Sequence, residues 1–295
     1  MLGSNVPQIG GFSTAFEYAE KWSCDCIQIY LTPSRTWKVP YISSDDIEAF
    51  TKLRKESKVK EIIAHVPFLV NLAACDKDIL DHSMDRLFQE IQRADLLGIR
   101  KLVLHPGSYQ RSSKLDGLVK LVTSLEDIMN WMQSTNIIIN LEVMAGQGTM
   151  LCSNFDDFKF VFDNAKHLDN LGVCFDTAHA FIAGYDLRGY AGYNRIMNKF
   201  DKIVGISTIG VIHLNDAASS LGSCNDRHAP AGEGKMGMRV FHALLKDTRF
   251  QDIPMILEIP DREGKTGKCL ESLRELQKRE KPISEHEMLQ ASLFE

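Results

Sequence analysis

Apolar positions along the chain follow two alternating rhythms. Short runs that are apolar on both faces cover Leu2–Asn5, Cys26–Leu31, Glu61–Val66, Lys101–His105, Ile137–Glu142, Gly172–Asp176, Val211–Leu214 and Pro254–Ile259. Runs of this length and composition predict strands covered on both sides. Between them lie segments with the helical period. In Asp81–Leu97, residues Met84, Leu87, Phe88, Ile91, Ala94 and Leu97 share one face, and Leu115–Met132, Phe155–Asn164 and Met238–Leu245 read the same way. Gly98 stands just past the first helix, where a left-handed closing residue is favoured. Eight strands alternating with helices predict an α/β protein, a (β/α)8 TIM barrel. No internal repeat or linker divides it. The expected layout is one barrel domain over residues 1–276 and a short polar tail over 277–295.

The predicted strands end in an unusual way. EIIAH closes on His65, KLVLH on His105, IIINLE on Glu142, LGVCFD on Asp176, GVIH on His213 and PMILE on Glu258. A polar group at the tip of a buried strand is costly unless it is paired or bound, and in a parallel barrel these tips share one mouth. His179 follows Asp176 by one turn, and Asp226-Arg227-His228 puts a carboxylate and an imidazole on the same side of an extended segment. Each of these residues alone reads more simply as a hydrogen-bonded core histidine or a helix cap. Six strand ends of one chemical kind point instead to a shared multinuclear metal centre. Imidazole mixed with carboxylate suits zinc better than calcium or magnesium, and admits manganese at one site. Nine ligands for three ions require a bridging carboxylate, for which the central strand end Glu142 is the natural choice. His82, His167, His242 and His286 lie in helical or tail contexts and read as structural.

Glycine-rich loops follow several of these positions: His105-Pro106-Gly107-Ser108, Ala145-Gly146-Gln147-Gly148 and Gly232-Glu233-Gly234-Lys235-Met236-Gly237. Beside a metal centre they suit a phosphate chain lying on backbone amides, although glycines are also ordinary turn punctuation. The net charge of −5 alone argues against a polyanionic partner. Three divalent ions would take −5 to +1, so charge does not decide the matter. The 295 residues, 44% hydrophobic and 25% charged, fit one globular barrel. No apolar stretch is long enough to cross a bilayer and the N-terminus lacks a basic, apolar leader, so a cytoplasmic protein is expected. Seven cysteines, odd in number and with no CxxC, argue against a disulfide framework; Cys24 and Cys26 read as plain buried thiols rather than metal ligands.

The segments HVPFLVNLA, LVLHPGSY, LEVMAGQG, GVCFDTAHAFIAGYDLR, IHLNDAASSLGSCNDRHAPAGEGKMG and MILE, in this order from about Gly3 to Gln277, resemble the endonuclease IV family of abasic-site repair enzymes. The resemblance implies three zinc ions: one on His65, His105 and Glu142, a second on Glu142, Asp176, His213 and Glu258, a third on His179, Asp226 and His228. It implies hydrolysis of the phosphodiester 5′ to an abasic deoxyribose in duplex DNA, leaving a 3′-hydroxyl and a 5′-deoxyribose phosphate, and removal of 3′-blocking groups. Glu142 and Glu258 would be the catalytic carboxylates. Arg35, Trp37, Phe68 and Leu69 match positions that enter the minor groove, and Arg227 and Lys235 belong to the same expected DNA surface. The chain departs from the pattern at Phe68 (usually Tyr), Ala178 (Cys), Ala218 (Lys), Val143 (Asn) and Asn5 (His), none of them a proposed ligand. The alternative is a two-metal sugar isomerase or epimerase on the same barrel, which has no need of the Asp226-x-His228 loop. A DNA-binding protein without catalysis would tolerate ligand loss, yet all nine are present.

The chain ends Gln290-Ala291-Ser292-Leu293-Phe294-Glu295. Gln290, Leu293 and Phe294 resemble the short peptides with which bacterial repair proteins bind the sliding clamp; packing on the chain's own barrel is the competing reading. A monomer is expected, because DNA must reach an open mouth.

Overall fold

Eight parallel strands close on themselves in the computed structural model, which describes residues 1–8, 11–132, 135–259 and 264–284. In chain order the strands are β1 Leu2–Asn5, β2 Cys26–Ile29, β3 Glu61–His65, β4 Lys101–Leu104, β5 Ile138–Glu142, β6 Leu171–Asp176, β7 Ile209–His213, β8 Asp216–Ala217, β9 His228–Ala229 and β10 Met255–Leu257. The helices are α1 Phe12–Lys21, α2 Ser44–Glu56, α3 Lys77–Leu96, α4 Lys114–Trp131, α5 Phe155–Asn164, α6 Thr177–Ile182, α7 Gly189–Ile203, α8 Met238–Lys246 and α9 Lys265–Lys278. The barrel order is β1-β10-β7-β6-β5-β4-β3-β2; β8 and β9 pair antiparallel as a separate two-residue ribbon.

All eight expected strands and the (β/α)8 barrel are present, with strand ends shifted by at most two residues. The barrel closes as expected because each strand is apolar on both faces. Outward residues such as Ile62, Ala64, Leu102 and Leu104 join the core under the helices. Inward residues Cys26, Ile63, Val103, Cys174, Val211 and Ile256 form a second, separate cluster that fills the barrel. Side chains two residues apart on a strand share a face. Adding two to these positions gives Gln28, His65, His105, Asp176, His213 and Glu258, so the inward face passes from apolar filling to polar mouth in one step.

Helix starts are locally encoded. Ser43 and Ser113 cap α2 and α4 with reciprocal bonds from Asp46 and Asp116, and Asp76 caps α3 through the amides of Asp78 and Ile79. Gly98 closes α3 at φ 66°, the left-handed region expected of it. The tail boundary expected at residue 276 falls inside α9, whose Leu276 is buried. Beyond that helix the chain packs on α7 and α8: Tyr190 Oη accepts from the Ile283 amide at 2.8 Å, and Arg239 Nε donates to the Ile283 carbonyl at 3.1 Å. His286 and the segment Gln290, Leu293 and Phe294 lie outside the described residues.

Candidate metal centre

Four of the nine predicted ligands are the last residues of their strands: His65 of β3, Glu142 of β5, Asp176 of β6 and His213 of β7. His105 and Glu258 come one residue after β4 and β10. The β6–β7 register sets Asp176 directly beside His213. Asp176 also caps α6, accepting from the His179 amide at 2.8 Å, and that turn swings the His179 ring into the mouth. The β8–β9 ribbon carries His228 back over the barrel, with Asp226 just before it.

All nine side chains converge. Glu142 stands between two groups of rings: its Oε2 lies 3.2 Å from His65 Nε2 and 3.2 Å from His105 Nε2, its Oε1 3.2 Å from His213 Nδ1 and 3.1 Å from His179 Nδ1. His213 Nδ1 is also 2.9 Å from Glu258 Oε2 and 3.6 Å from Asp176 Oδ2. At the far side His179 Nε2 and His228 Nε2 face one another at 3.2 Å, with Asp226 oxygens 3.3 and 3.2 Å away. Three donor groups can each hold a cation: His65, His105 and Glu142; Glu142, Asp176, His213 and Glu258; and Asp176, His179 and His228, with Asp226 against both rings of the last.

The residues fit metal on two grounds. Donors about 2.0–2.1 Å from one tetrahedral zinc stand about 3.3 Å apart, close to most of the separations above. Glu142 and Asp176 are also buried, and buried carboxylates need a cationic counterpart.

Neighbouring groups fix which ring nitrogen faces the cluster. His65 Nδ1 donates to the Val66 carbonyl at 2.8 Å and His179 Nδ1 to the Val143 carbonyl at 2.9 Å, which turns each Nε2 inward. His213 Nε2 donates to Gln28 Oε1 at 2.9 Å, leaving Nδ1 for the centre, and Gln28 Nε2 donates to Glu258 Oε1 at 2.7 Å. Asn215 Nδ2 donates to Asp176 Oδ2 at 2.8 Å, while its Oδ1 accepts from the Glu258 amide at 2.8 Å. Sequence reasoning missed both amides. Gln28 was detectable as the residue two past Cys26 on an inward strand face; Asn215 follows β7 and carried no comparable signal.

The electrostatics are those of a tight acid–imidazole cluster. Burial works against charge at Glu142, yet the His213 and His105 rings hold its carboxyl well below the carboxylate range. Burial likewise opposes ionisation of Glu258, which His213 brings to about 2. Burial opposes it too at Asp226, which His179 and His228 depress strongly. In return, against burial, Asp176, Asp226 and Glu142 raise His179 well above its ordinary value, and Cys174, Glu258 and Glu142 do so for His213. Without metal, protons occupy this centre.

The remaining predicted positions do not join the cluster. Arg35, Arg227 and Lys235 lie outside it, Trp37 is 41% and Phe68 52% exposed, and Leu69 is half-buried. Two of the three glycine loops turn amides toward the protein itself. Asp216 accepts from the amides of Gly232, Gly234 and Met236 at 3.0, 3.1 and 3.0 Å, and the Lys235 amide goes to the Ala217 carbonyl. In the β4 loop the Ser108 amide goes to Asn71 Oδ1. These amides are therefore turned inward to protein acceptors and do not cradle phosphate. His82, His167 and His242 stand apart from the centre; His242 is satisfied by Tyr190 Oη and the Arg279 carbonyl. Cys24 and Cys26 are buried, free thiols.

Fold and donor set together define a (β/α)8 barrel enzyme with candidate metal-binding groups at its mouth. Residues 16–278 match the family model described as "Xylose isomerase-like TIM barrel". The chain is 34% identical over 259 residues to the "Probable endonuclease 4" of Geotalea daltonii, covering 88% of this chain and 91% of that one. It is 34% identical over 268 residues to an "Apurinic-apyrimidinic endonuclease" of Caenorhabditis elegans, covering 90% and 67%. The solved endonuclease IV of Thermus thermophilus superposes with a TM-score of 0.82 at 27% identity, over 94% of this chain and 98% of that one. A D-tagatose 3-epimerase-like protein shares the fold alone, with a TM-score of 0.74 at 21% identity, over 94% of this chain and 97% of that one. The chain belongs to the endonuclease IV family of nucleases. Among the described residues no helix is long and apolar enough to cross a membrane.

Proposed function

We propose that this protein is a DNA repair endonuclease that hydrolyses the phosphodiester 5′ to abasic sites in duplex DNA. The products are a 3′-hydroxyl and a 5′-deoxyribose phosphate, and the same centre removes 3′-blocking groups. The observation that carries the reading is the third donor group, His179, Asp226 and His228, brought against the Glu142 cluster. A two-metal sugar isomerase or epimerase has no use for it, and family membership points the same way.

The proposed ligand sets are His65, His105 and Glu142; Glu142, Asp176, His213 and Glu258; and His179, Asp226 and His228. Three zinc ions, with manganese acceptable at one site, would supply a water ionised near neutral pH and positive charge opposite the phosphate. The chain's own residues do the rest. Glu142, with Oε2 beside His65 and His105 and Oε1 beside His213, would be the carboxylate shared between the first two ligand sets. Glu258, its side chain 16% exposed, is the most open of the three strand-end carboxylates. Held by Gln28 and Asn215, it is placed to orient the attacking water. Arg35, Trp37, Phe68 and Leu69 form the rim that takes the place of an extruded abasic nucleotide, which is the cheapest nucleotide to unstack. Arg227 and Lys235 supply cationic contacts to the backbone; Lys235 Nζ is oriented by Ser220 Oγ at 2.9 Å.

We place the protein in the cytoplasm as a monomer, with Gln290, Leu293 and Phe294 as a weak sliding-clamp peptide. A truncation ending at Met288 that kept full clamp affinity would remove that last point. The main test is nicking of a duplex with one abasic site by the wild type, by Glu142→Gln and after chelation, with metal counted by mass spectrometry. Robust nicking, then almost none in both altered cases, is expected. About two ions per chain and no nicking by the wild type would favour the isomerase.

A further inference from the structure

The segment between β2 and α2 carries Arg35 and Trp37 but contains no helix or strand from Tyr30 to Ser43. It is anchored instead from beneath, by two arginines of α3. Arg86 is 2% exposed, with its ion-pair partner Glu90 at 1%. Its guanidinium is spread over one segment: Nη1 donates to the Thr36 carbonyl at 2.9 Å, Nη2 to the Pro33 carbonyl at 3.1 Å and to Thr32 Oγ1. Nε donates to Glu90 Oε1 at 2.8 Å, and Thr32 Oγ1 donates to the same carboxylate oxygen. Two turns further along the helix, Arg93 Nη1 donates to the Pro40 carbonyl at 2.7 Å. The Trp37 ring lies 5.7 Å from the His82 ring of the same helix.

A buried ion pair is a poor device for stability alone, since matched apolar residues commonly do as well or better. The rigid, planar fork of an arginine is suited to something else, namely holding several acceptors at once in fixed directions. Here three of the four groups it serves belong to the segment that bears the proposed DNA-reading side chains. Pro33 and Thr36, on either side of Arg35, are held by their backbone carbonyls, so the side chains between and beyond them remain free to face outward.

We propose that Arg86 is a positioning residue for substrate recognition: with Arg93 it fixes the Thr32–Pro40 segment so that Arg35 and Trp37 meet the DNA preformed. The proposal rests on the abasic-endonuclease reading and deepens it. Arg86 touches no ligand of the metal centre, so its effect falls on binding rather than on the chemical step.

Two variants separate positioning from stability. Arg86→Met with Glu90→Met removes both charges and keeps apolar volume; Arg86→Lys keeps the charge beside Glu90 but cannot serve three loop acceptors together. Both are expected to raise KM for an abasic duplex about tenfold, with kcat within about twofold and metal content unchanged. Trypsin under native conditions should cleave after Arg35 and Lys38 at least tenfold faster than in the wild type, a readout independent of any activity. Glu90→Gln leaves the loop contacts of Arg86 in place; it should lower Tm without changing KM. Wild-type KM and wild-type cleavage in a folded variant of either kind would overturn the proposal, as would KM rising with Tm loss in all three. A wild type that fails to nick abasic DNA sinks the functional reading instead, and the trypsin result still judges the anchor.

Discussion

His213 and Gln28 meet across the barrel, Nε2 to Oε1, at 2.9 Å. Because the amide oxygen only accepts, Nε2 of His213 carries a proton and Nδ1 is the nitrogen that faces Glu142, Asp176 and Glu258. The other end of the same amide donates to Glu258. Gln28 thus orients two proposed ligands of one site. Gln28→Leu removes both constraints while filling similar space. Groups of this kind typically contribute ten- to hundredfold in metal affinity, so zinc release to a chromophoric chelator should show about that much weakening at one site per chain. Unchanged release would mean that Gln28 only packs.

The metal-free protein should have a distinctive pH profile. His179 and His213 titrate well above their ordinary 6.5, and Glu258 near 2 rather than 4.5. A raised histidine stabilises the fold fully below the unfolded value and loses that contribution as pH rises through the folded one. A depressed carboxylate stabilises fully above its unfolded value and loses it as pH falls through the folded one. Both contributions are therefore complete only between about pH 4.5 and pH 6.5. Without metal, Tm should peak there and decline on the alkaline side. Zinc reverses that slope, because ring nitrogens must shed protons before they bind it. Its stabilisation should grow from about pH 6 to about pH 8, with proton release on uptake. Calorimetry in buffers of different ionisation enthalpy measures both; a metal-free Tm flat across that range would contradict the cluster described.

Asp216 organises the loop between the ribbon and α8. Its buried carboxylate accepts from four amides, those of Ala217, Gly232, Gly234 and Met236, and no side chain fits between. A Cβ on Gly234 would stand 2.4 Å from Asp216 Oδ1 and 2.6 Å from the Ala217 carbonyl. Gly234→Ala must displace that carboxylate, at a cost of about 1–3 kcal/mol, the usual range for overpacking. Urea unfolding should show it as a lower midpoint at constant slope. Since the ribbon carries His228, zinc bound at the third donor group should weaken in parallel, while His65 and His105 keep theirs.

Much of this arrangement was legible because strand faces alternate strictly. Once Ile63, Val103, Cys174, Val211 and Ile256 face inward, His65, His105, Asp176, His213 and Glu258 must follow on the same face two residues later. The ends of apolar runs therefore disclosed six of the nine candidate ligands and the barrel itself. The hydrogen-bonding shell was not legible in the same way. Asn215 and Arg86 act through partners 39 and 50 residues away, and nothing in their local sequence distinguishes them from any other polar residue. The loop from Gly232 to Gly237 misled for a related reason. Glycine spacing shows that amides can approach an anion closely, but the anion here is the protein's own Asp216. The six strand-end residues and Gln28 thus follow from strand period, whereas the contacts of Arg86 follow only from closure of the barrel.

Phe68 follows His65 by three residues and leaves a ring 52% exposed. A side chain so placed adds little to the fold, and Phe68→Ala should change stability by no more than about 0.5 kcal/mol. If the ring stacks in the space of the extruded nucleotide, its loss should cost about 1–3 kcal/mol of binding, the range for one aromatic–base contact. At about 1.4 kcal/mol per decade, KM for an abasic duplex then rises roughly tenfold or more, with kcat little altered because no ligand is touched. Phe68→Tyr adds back the hydroxyl expected at this position in the family and should lower KM below that of the wild type. Gel-based nicking with substrate varied around KM, alongside chemical denaturation of each variant, checks the three values together. Phe68→Ala with an unchanged KM would show that the ring stands clear of the DNA and that the minor-groove wedge is made by Trp37 and Leu69 alone.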